Sequence, residues 1–192
     1  MLPGKPLQKM PRSSQGFTLF EMVVVICVIV ILYMVAAQRL SELPAAAERA
    51  SFYGTLGQIK AGVNFEMISK LTSQKSSELR NLSGANPMAF LLETPNNYRG
   101  EQEWVNDRNA QRGGWYYETS SGELVYVISG SSINDVFVEL SGMMVNYGQI
   151  RLKLTNIYKG NGVGQQGNWQ GLSLVEVMPF RWERRQDLPI GV

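Results

Sequence analysis

The chain has 192 residues, 18 of them basic and 16 acidic, giving a formal charge of +2. With one cysteine and no histidine it excludes an intramolecular disulfide, histidine-based metal sites, and Ser-His or Cys-His nucleophile pairs. Three of the basic residues, Lys5, Lys9 and Arg12, stand in the first 16 positions with no acid among them. That leaves 15 basic and 16 acidic groups in the rest, so the slightly basic balance is local and does not argue for a nucleic-acid partner.

Residues 1–16 hold three prolines and the pair Ser13-Ser14, which reads as an unstructured leader. From Phe17 to Ala37 there are 21 residues, the last 16 of them, Met22 to Ala37, an unbroken apolar run. As a helix this is about 31 Å long, enough to cross a bilayer's hydrocarbon core. Three positive charges precede the run and favour a cytoplasmic leader, with everything after Ala37 on the far side of the membrane. The one charge between Phe17 and Ala37 is Glu21, near the start. A carboxylate at bilayer depth costs on the order of 2.5–3.5 kcal/mol at the helix centre and less near the end, so a compensating partner is expected. Cys27, within the run, reads as a small apolar filler.

Pro44 follows in Ser41-Glu42-Leu43-Pro44, and an interior proline there would kink or break a continuing helix. Helical character resumes over Ala45 to about Leu71. Phe52, Leu56, Ile59, Val63, Met67 and Leu71 recur every three or four residues and form one apolar stripe, a face on which a sheet should pack. Gly54, Gly57 and Gly62 weaken this helix but permit close backbone approach. Thr72 to Asn86 is polar and reads as an exposed connection. Asn86 is placed to cap a short helical turn opened by Pro87, and Pro95 to Gly100 reads as a loop.

Strand patterns begin at Trp115. Trp115-Tyr116-Tyr117, the turn Ser120-Ser121-Gly122 and Leu124 to Ser129 make a hairpin signature. Val136 to Leu140, Gln149 to Tyr158 and Leu172 to Phe180 are the further strands. In the second of these, Ile150, Leu152 and Leu154 alternate with Arg151, Lys153 and Thr155, giving one buried and one wet face. The expected fold class is α+β: a long N-terminal helix, transmembrane and then amphipathic, packed on an antiparallel sheet of roughly four to five strands.

Gly16-Phe17-Thr18-Leu19-Phe20-Glu21, joined to a basic leader and a long apolar helix, resembles the processing site of type IV pilins and of the pseudopilins of type II secretion. The resemblance implies cleavage after Gly16 by a prepilin peptidase, N-methylation of Phe17, and a pairing of Glu21 with the N-terminal amine of a neighbouring subunit. It further implies a leader over 1–16, a transmembrane helix over 17–43 and a periplasmic, pilin-like head over 44–192. The partners it implies are the peptidase/methyltransferase, other pilin or pseudopilin subunits and the inner membrane. The location would be the inner membrane, or outside the cell in a pilus. Segments Asn86-Pro87-Met88 with Leu91-Leu92, Pro95-Asn96-Asn97-Tyr98 with Gly100, and Gly113-Gly114-Trp115-Tyr116-Tyr117 are similar to minor pilins and pseudopilins over Asn86 to Tyr126. The sequence lacks the C-terminal cysteine pair of many major pilins, and its proline lies at 44 where many members have one nearer position 38.

Other readings stay open at this point. A plain signal anchor would place Glu21 in the headgroup zone. An ordinary secretory signal would be cut after Val35-Ala36-Ala37 and release the head as a binding module. Gly162-Val163-Gly164-Gln165-Gln166-Gly167 matches a dinucleotide fingerprint literally, but a strand rather than a helix follows, so it reads as a hairpin loop. Trp104, Trp115, Tyr116, Tyr117, Trp169 and Trp182 could stack on a sugar, although such residues more often fill a sheet edge or an interface. Asp107, Asp135 and Glu139 are too scattered for a calcium site. No metal, cofactor or catalytic group is expected, and the chain does not read as an enzyme.

Overall fold

The structure, a computed structural model, describes residues 17–41, 43–106, 108–159, 162–163 and 167–183. The leader assigned to residues 1–16, with Gly16, lies outside the described residues. Two compact units partition the chain, Met1–Glu42 and Leu43–Val192. The first unit holds α1 (Leu19–Ser41), whose side chains from Leu19 to Ala37 are all exposed.

The second unit is α+β. It opens with α2 (Leu43–Thr72), in which Pro44 sits in the first turn. That is where a missing N–H removes no helical bond, so proline here is compatible with a helix start. Phe52, Leu56, Ile59 and Val63 of the expected stripe are buried, and Met67 packs partly against the same core. Leu71 differs from expectation: it is exposed and does not join the core.

The main sheet is built from β1 (Tyr98–Gln102), β2 (Gly114–Glu118), β3 (Glu123–Val127), β6 (Gln149–Lys159), β7 (Gly162–Val163) and β8 (Asn168–Glu176). All its pairings are antiparallel except β1 with β2. A second, three-stranded antiparallel sheet has the order β5-β4-β9, with β4 at Val136–Leu140, β5 at Met143–Asn146 and β9 at Phe180–Trp182. The sequence therefore understated both strand number and sheet number. The strand expected over Leu172 to Phe180 is split between the sheets around Pro179, which cannot donate to a ladder.

The inner face of the main sheet lies on α2. Trp115, Leu124, Tyr126, Ile150, Leu152 and Leu154 join Phe52, Leu56, Ile59 and Val63 in one core. Phe52 is its centre, stacked on Trp115 at 5.1 Å and touching Tyr126 at 5.1 Å and Trp182 at 5.2 Å. The outer face is not simply wet. The segment between β1 and β2 covers part of it, burying Val105 with Tyr116, Val125 and Val127. Burial on both faces explains why Trp115-Tyr116-Tyr117 and Leu124-Val125-Tyr126-Val127 read as continuous apolar runs.

Two shorter segments complete the unit. The stretch expected to be an exposed connection contains α3 (Ser76–Leu79) and a 3-10 turn, and it delivers a fully buried Leu79 to the core. A second 3-10 turn, Pro87–Phe90, is capped as expected by Asn86, whose Oδ1 accepts from Met88 N at 3.0 Å. This turn presses on α2 at Gly62, where a Cβ would stand 2.9 Å from the Phe90 carbonyl oxygen. Only a glycine leaves that approach free of a clash.

Candidate functional site

The start of α1 is the first candidate. Thr18 Oγ1 accepts from Glu21 N at 3.2 Å, and Met22 N donates to Thr18 O at 3.1 Å in the first helical bond. Thr18 is therefore the N-cap, and it satisfies one of the donors that every helix start leaves unpaired. Thr18-Leu19-Phe20-Glu21 has the spacing of a capping box, a signal carried by the sequence itself. Glu21 lies in the first turn, where the positive end of the helix dipole favours a carboxylate. Among the described residues its carboxylate makes no hydrogen bond or ion pair, so it is free to meet a cation from elsewhere. Phe17, one residue before the cap, is exposed.

Apart from Glu21, residues 19–37 of α1 are apolar on nearly every side, and the stretch is long enough to cross a membrane. A helix with no polar face has no amphipathic solution at a water boundary and is suited to an apolar surround. Cys27 is exposed on this helix.

The second unit contains two partly buried polar networks. In one, the Glu48 carboxylate of α2 accepts from Tyr126 Oη at 2.8 Å, from Ser129 N at 2.7 Å, and from the Ser129 hydroxyl. These bonds lock the early turns of α2 to the end of β3. Burial, reinforced by the Glu48 charge and hydrogen bond, raises the Tyr126 phenol well above its ordinary value, so it stays protonated and donates.

The other network lies on the outer face of the main sheet. Arg151 Nη1 bonds Glu118 at 2.8 Å and Glu123 at 2.9 Å, while Glu118 also accepts from Val105 N at 2.8 Å and from Ser121 Oγ at 2.6 Å. Desolvation alone would raise the Glu118 carboxyl. The Arg151, Ser121 and Val105 donors outweigh it and hold that group at about 2. Burial alone would lower the Arg151 guanidinium, and its two carboxylate partners carry it upward instead. The bonds of Val105 to Glu118 and Arg151 fasten the segment before β2 to the sheet, and those of Glu123 and Ser121 tie β2, β3 and β6 together, which is a structural role.

An open groove of about 500 Å³ lies beside α2. Ala61, Gly62, Phe65, Leu91 and Leu92 line it, with Gln58 and Glu93 as its polar side chains. It brings together no nucleophile and base.

The aromatic residues considered for sugar stacking do not form a platform. Trp115, Tyr116, Tyr117 and Trp182 are buried, Trp169 is half-buried with its Nε1 donating to Asn156 at 2.9 Å, and Trp104 is exposed apart from them. Asp107 lies outside the described residues. Among the described residues no group of three acids, cysteines or histidines is placed to share a metal ion. Gly162–Val163 of the glycine-rich segment is a strand against β6, and residues 164–166 lie outside the described residues. Compared with models of known families, with curated proteins and with solved structures, the chain matches none.

Proposed function

We propose that this chain is a pilin-like structural subunit, a minor pilin or pseudopilin of a type IV pilus or type II secretion pseudopilus. A prepilin peptidase would cleave it between Gly16 and Phe17, Phe17 would be methylated, and the subunit would assemble through its N-terminal helix. The observation that carries the reading is the placement of Glu21. It is the one acid between Phe17 and Ala37, it stands four residues after Phe17, and it sits in a capped first turn with its carboxylate unpaired among the described residues. A plain anchor gains from such a charge only its interaction with the positive end of the helix dipole, about 0.3–1 kcal/mol. A filament subunit gains a partner for a neighbour's amine, and a paired charge recovers part of its desolvation cost. The α+β head with its own core is compatible with this role, which places it in the periplasm.

The second reading, a membrane-anchored or secreted binding module without filament assembly, draws on the open groove beside α2. One experiment separates the two. Membrane-extracted protein is sequenced from its N-terminus and weighed intact, for the wild type and for Glu21→Ala. The expected mature chain starts at methylated Phe17 in both. Losing one partner of a buried pair costs about 3–5 kcal/mol, so the variant should be processed yet enter the filament at least a hundredfold less well. A chain starting at Gln38 or Met1, or normal incorporation of Glu21→Ala, would overturn the proposal.

A further inference from the structure

The segment between β1 and β2 carries an exposed indole that the fold holds still. Trp104 is 61% exposed, while the next residue, Val105, is buried, its N–H donating to Glu118 and its carbonyl accepting from Arg151. Beyond it Asn106 Oδ1 accepts from Arg108 N at 2.9 Å and from Asn109 N at 3.2 Å. Asn109 Oδ1 accepts from Asn106 N at 2.8 Å, and Asn109 Nδ2 donates back to the Trp104 carbonyl at 2.6 Å. The last bond closes the turn on itself and brings Arg108 back beside Trp104. A backbone fixed in this way has little freedom left to lose on binding, and Trp is among the side chains that carry binding energy at interfaces.

The groove beside α2 has the complementary chemistry. Phe65 and Leu92 in its lining are exposed, and its one charged group is Glu93, which makes no ion pair among the described residues. Between Trp104 and β2 the sequence sets two arginines, Arg108 and Arg112, against one acid, Asp107. The stem of Arg99 lies beside Gln111 and Gly114 of the same segment. None of these arginines is in an ion pair among the described residues. Glu103, before Trp104, would repel Glu93, so the turn enters the groove with its Arg108 side toward that acid. The groove belongs to the helix layer and Trp104 to the segment over the outer face, with the main sheet between them, and Trp104 does not line the groove. One copy therefore does not fill its own groove.

We propose that Trp104 of one copy seats in the α2 groove of a second copy, with Arg108 against Glu93. The two surfaces differ, so the contact is heterologous, and each pair keeps a free groove and a free indole for further copies. The contact is small, one anchored ring and one exposed ion pair, and it forms where copies are held close together. It needs only neighbouring copies and does not depend on the pilin reading of the N-terminus.

The test uses the full chain, densely reconstituted in phospholipid vesicles, with Cys27→Ala as the background. Cysteines are placed beside the two surfaces at exposed positions, Thr94→Cys and Glu103→Cys, and joined with a short bismaleimide. A chain carrying both should give a ladder of dimers, trimers and larger products, whereas either cysteine alone should give none. Trp104→Ala in the double-cysteine chain should cut the yield at least tenfold. Glu93→Arg and Arg108→Glu should each cut it about threefold or more, and the two together should restore it. Dimers from Thr94→Cys alone or Glu103→Cys alone would show like surfaces meeting and overturn the proposal. So would the absence of cross-links in the double-cysteine chain, a yield unmoved by Trp104→Ala, or a combined charge reversal that restores nothing.

Discussion

Replacing Arg151 by methionine would test whether the outer face of the main sheet is held by charge. The substitution keeps the length of the aliphatic stem and removes the guanidinium that bonds Glu118 and Glu123. Glu118 is 4% exposed, so its carboxylate would be left buried with only Ser121 and Val105 as donors. A carboxyl titrating at about 2 in the fold and at 4.5 in the free chain stabilises the fold by roughly 3 kcal/mol at neutral pH. Arg151 keeps some contact with water, and screening reduces its share to about 2 kcal/mol. For a unit of this size that corresponds to about 4–8 °C in Tm.

The sign with pH follows from the direction of the shift. The folded value is depressed, so the stabilisation is complete above about pH 4.5 and is lost as the pH falls toward 2. In Arg151→Met the buried carboxyl would instead take up its proton more readily in the fold. The deficit of the variant should therefore be largest near neutral pH and shrink steadily in acid. Adding Glu118→Gln should recover part of the loss, because no buried charge then remains unpaired. Thermal unfolding followed by circular dichroism between pH 7 and 3 reads all three. Parallel pH profiles for wild type and Arg151→Met, or equal Tm at neutral pH, would refute the electrostatic account of this face.

Two helix glycines should respond in opposite directions. Gly57→Ala, facing open space, is expected to stabilise by about 0.5–1 kcal/mol, whereas Gly62→Ala meets the Phe90 carbonyl and should cost about 1–3 kcal/mol; the difference in Tm between the pair is the measurement. A fragment beginning at Leu43 carries the whole core around Phe52 and should unfold in one cooperative transition with mixed helix and sheet circular dichroism. A non-cooperative or aggregated product would show that the core needs the membrane segment or a partner.

Local signals were enough for several elements. The apolar run, the α2 stripe, the Asn86 cap and the β2–β3 hairpin are each written in consecutive residues. Their physical causes, hydrophobic periodicity, capping chemistry and turn preference, act over three to seven positions. The Thr18-to-Glu21 cap is equally local, a capping box written in four consecutive residues. The assembly role proposed for that acid rests on the short motif around Gly16.

Tertiary structure alone decided the rest. Leu79 stands in a polar stretch with no period to mark it, and it is buried only because α3 turns it onto the core. Arg151 occupies the position of a solvent-facing residue in an alternating strand, yet the segment bearing Val105 folds over it and makes its charge structural. The second sheet depends on Val136 meeting Trp182, a pairing between segments far apart in the chain. Such pairings follow from which apolar surfaces remain uncovered after α2 and the main sheet have met. A local pattern reports that a residue can be buried on one side, and the global packing determines what buries it.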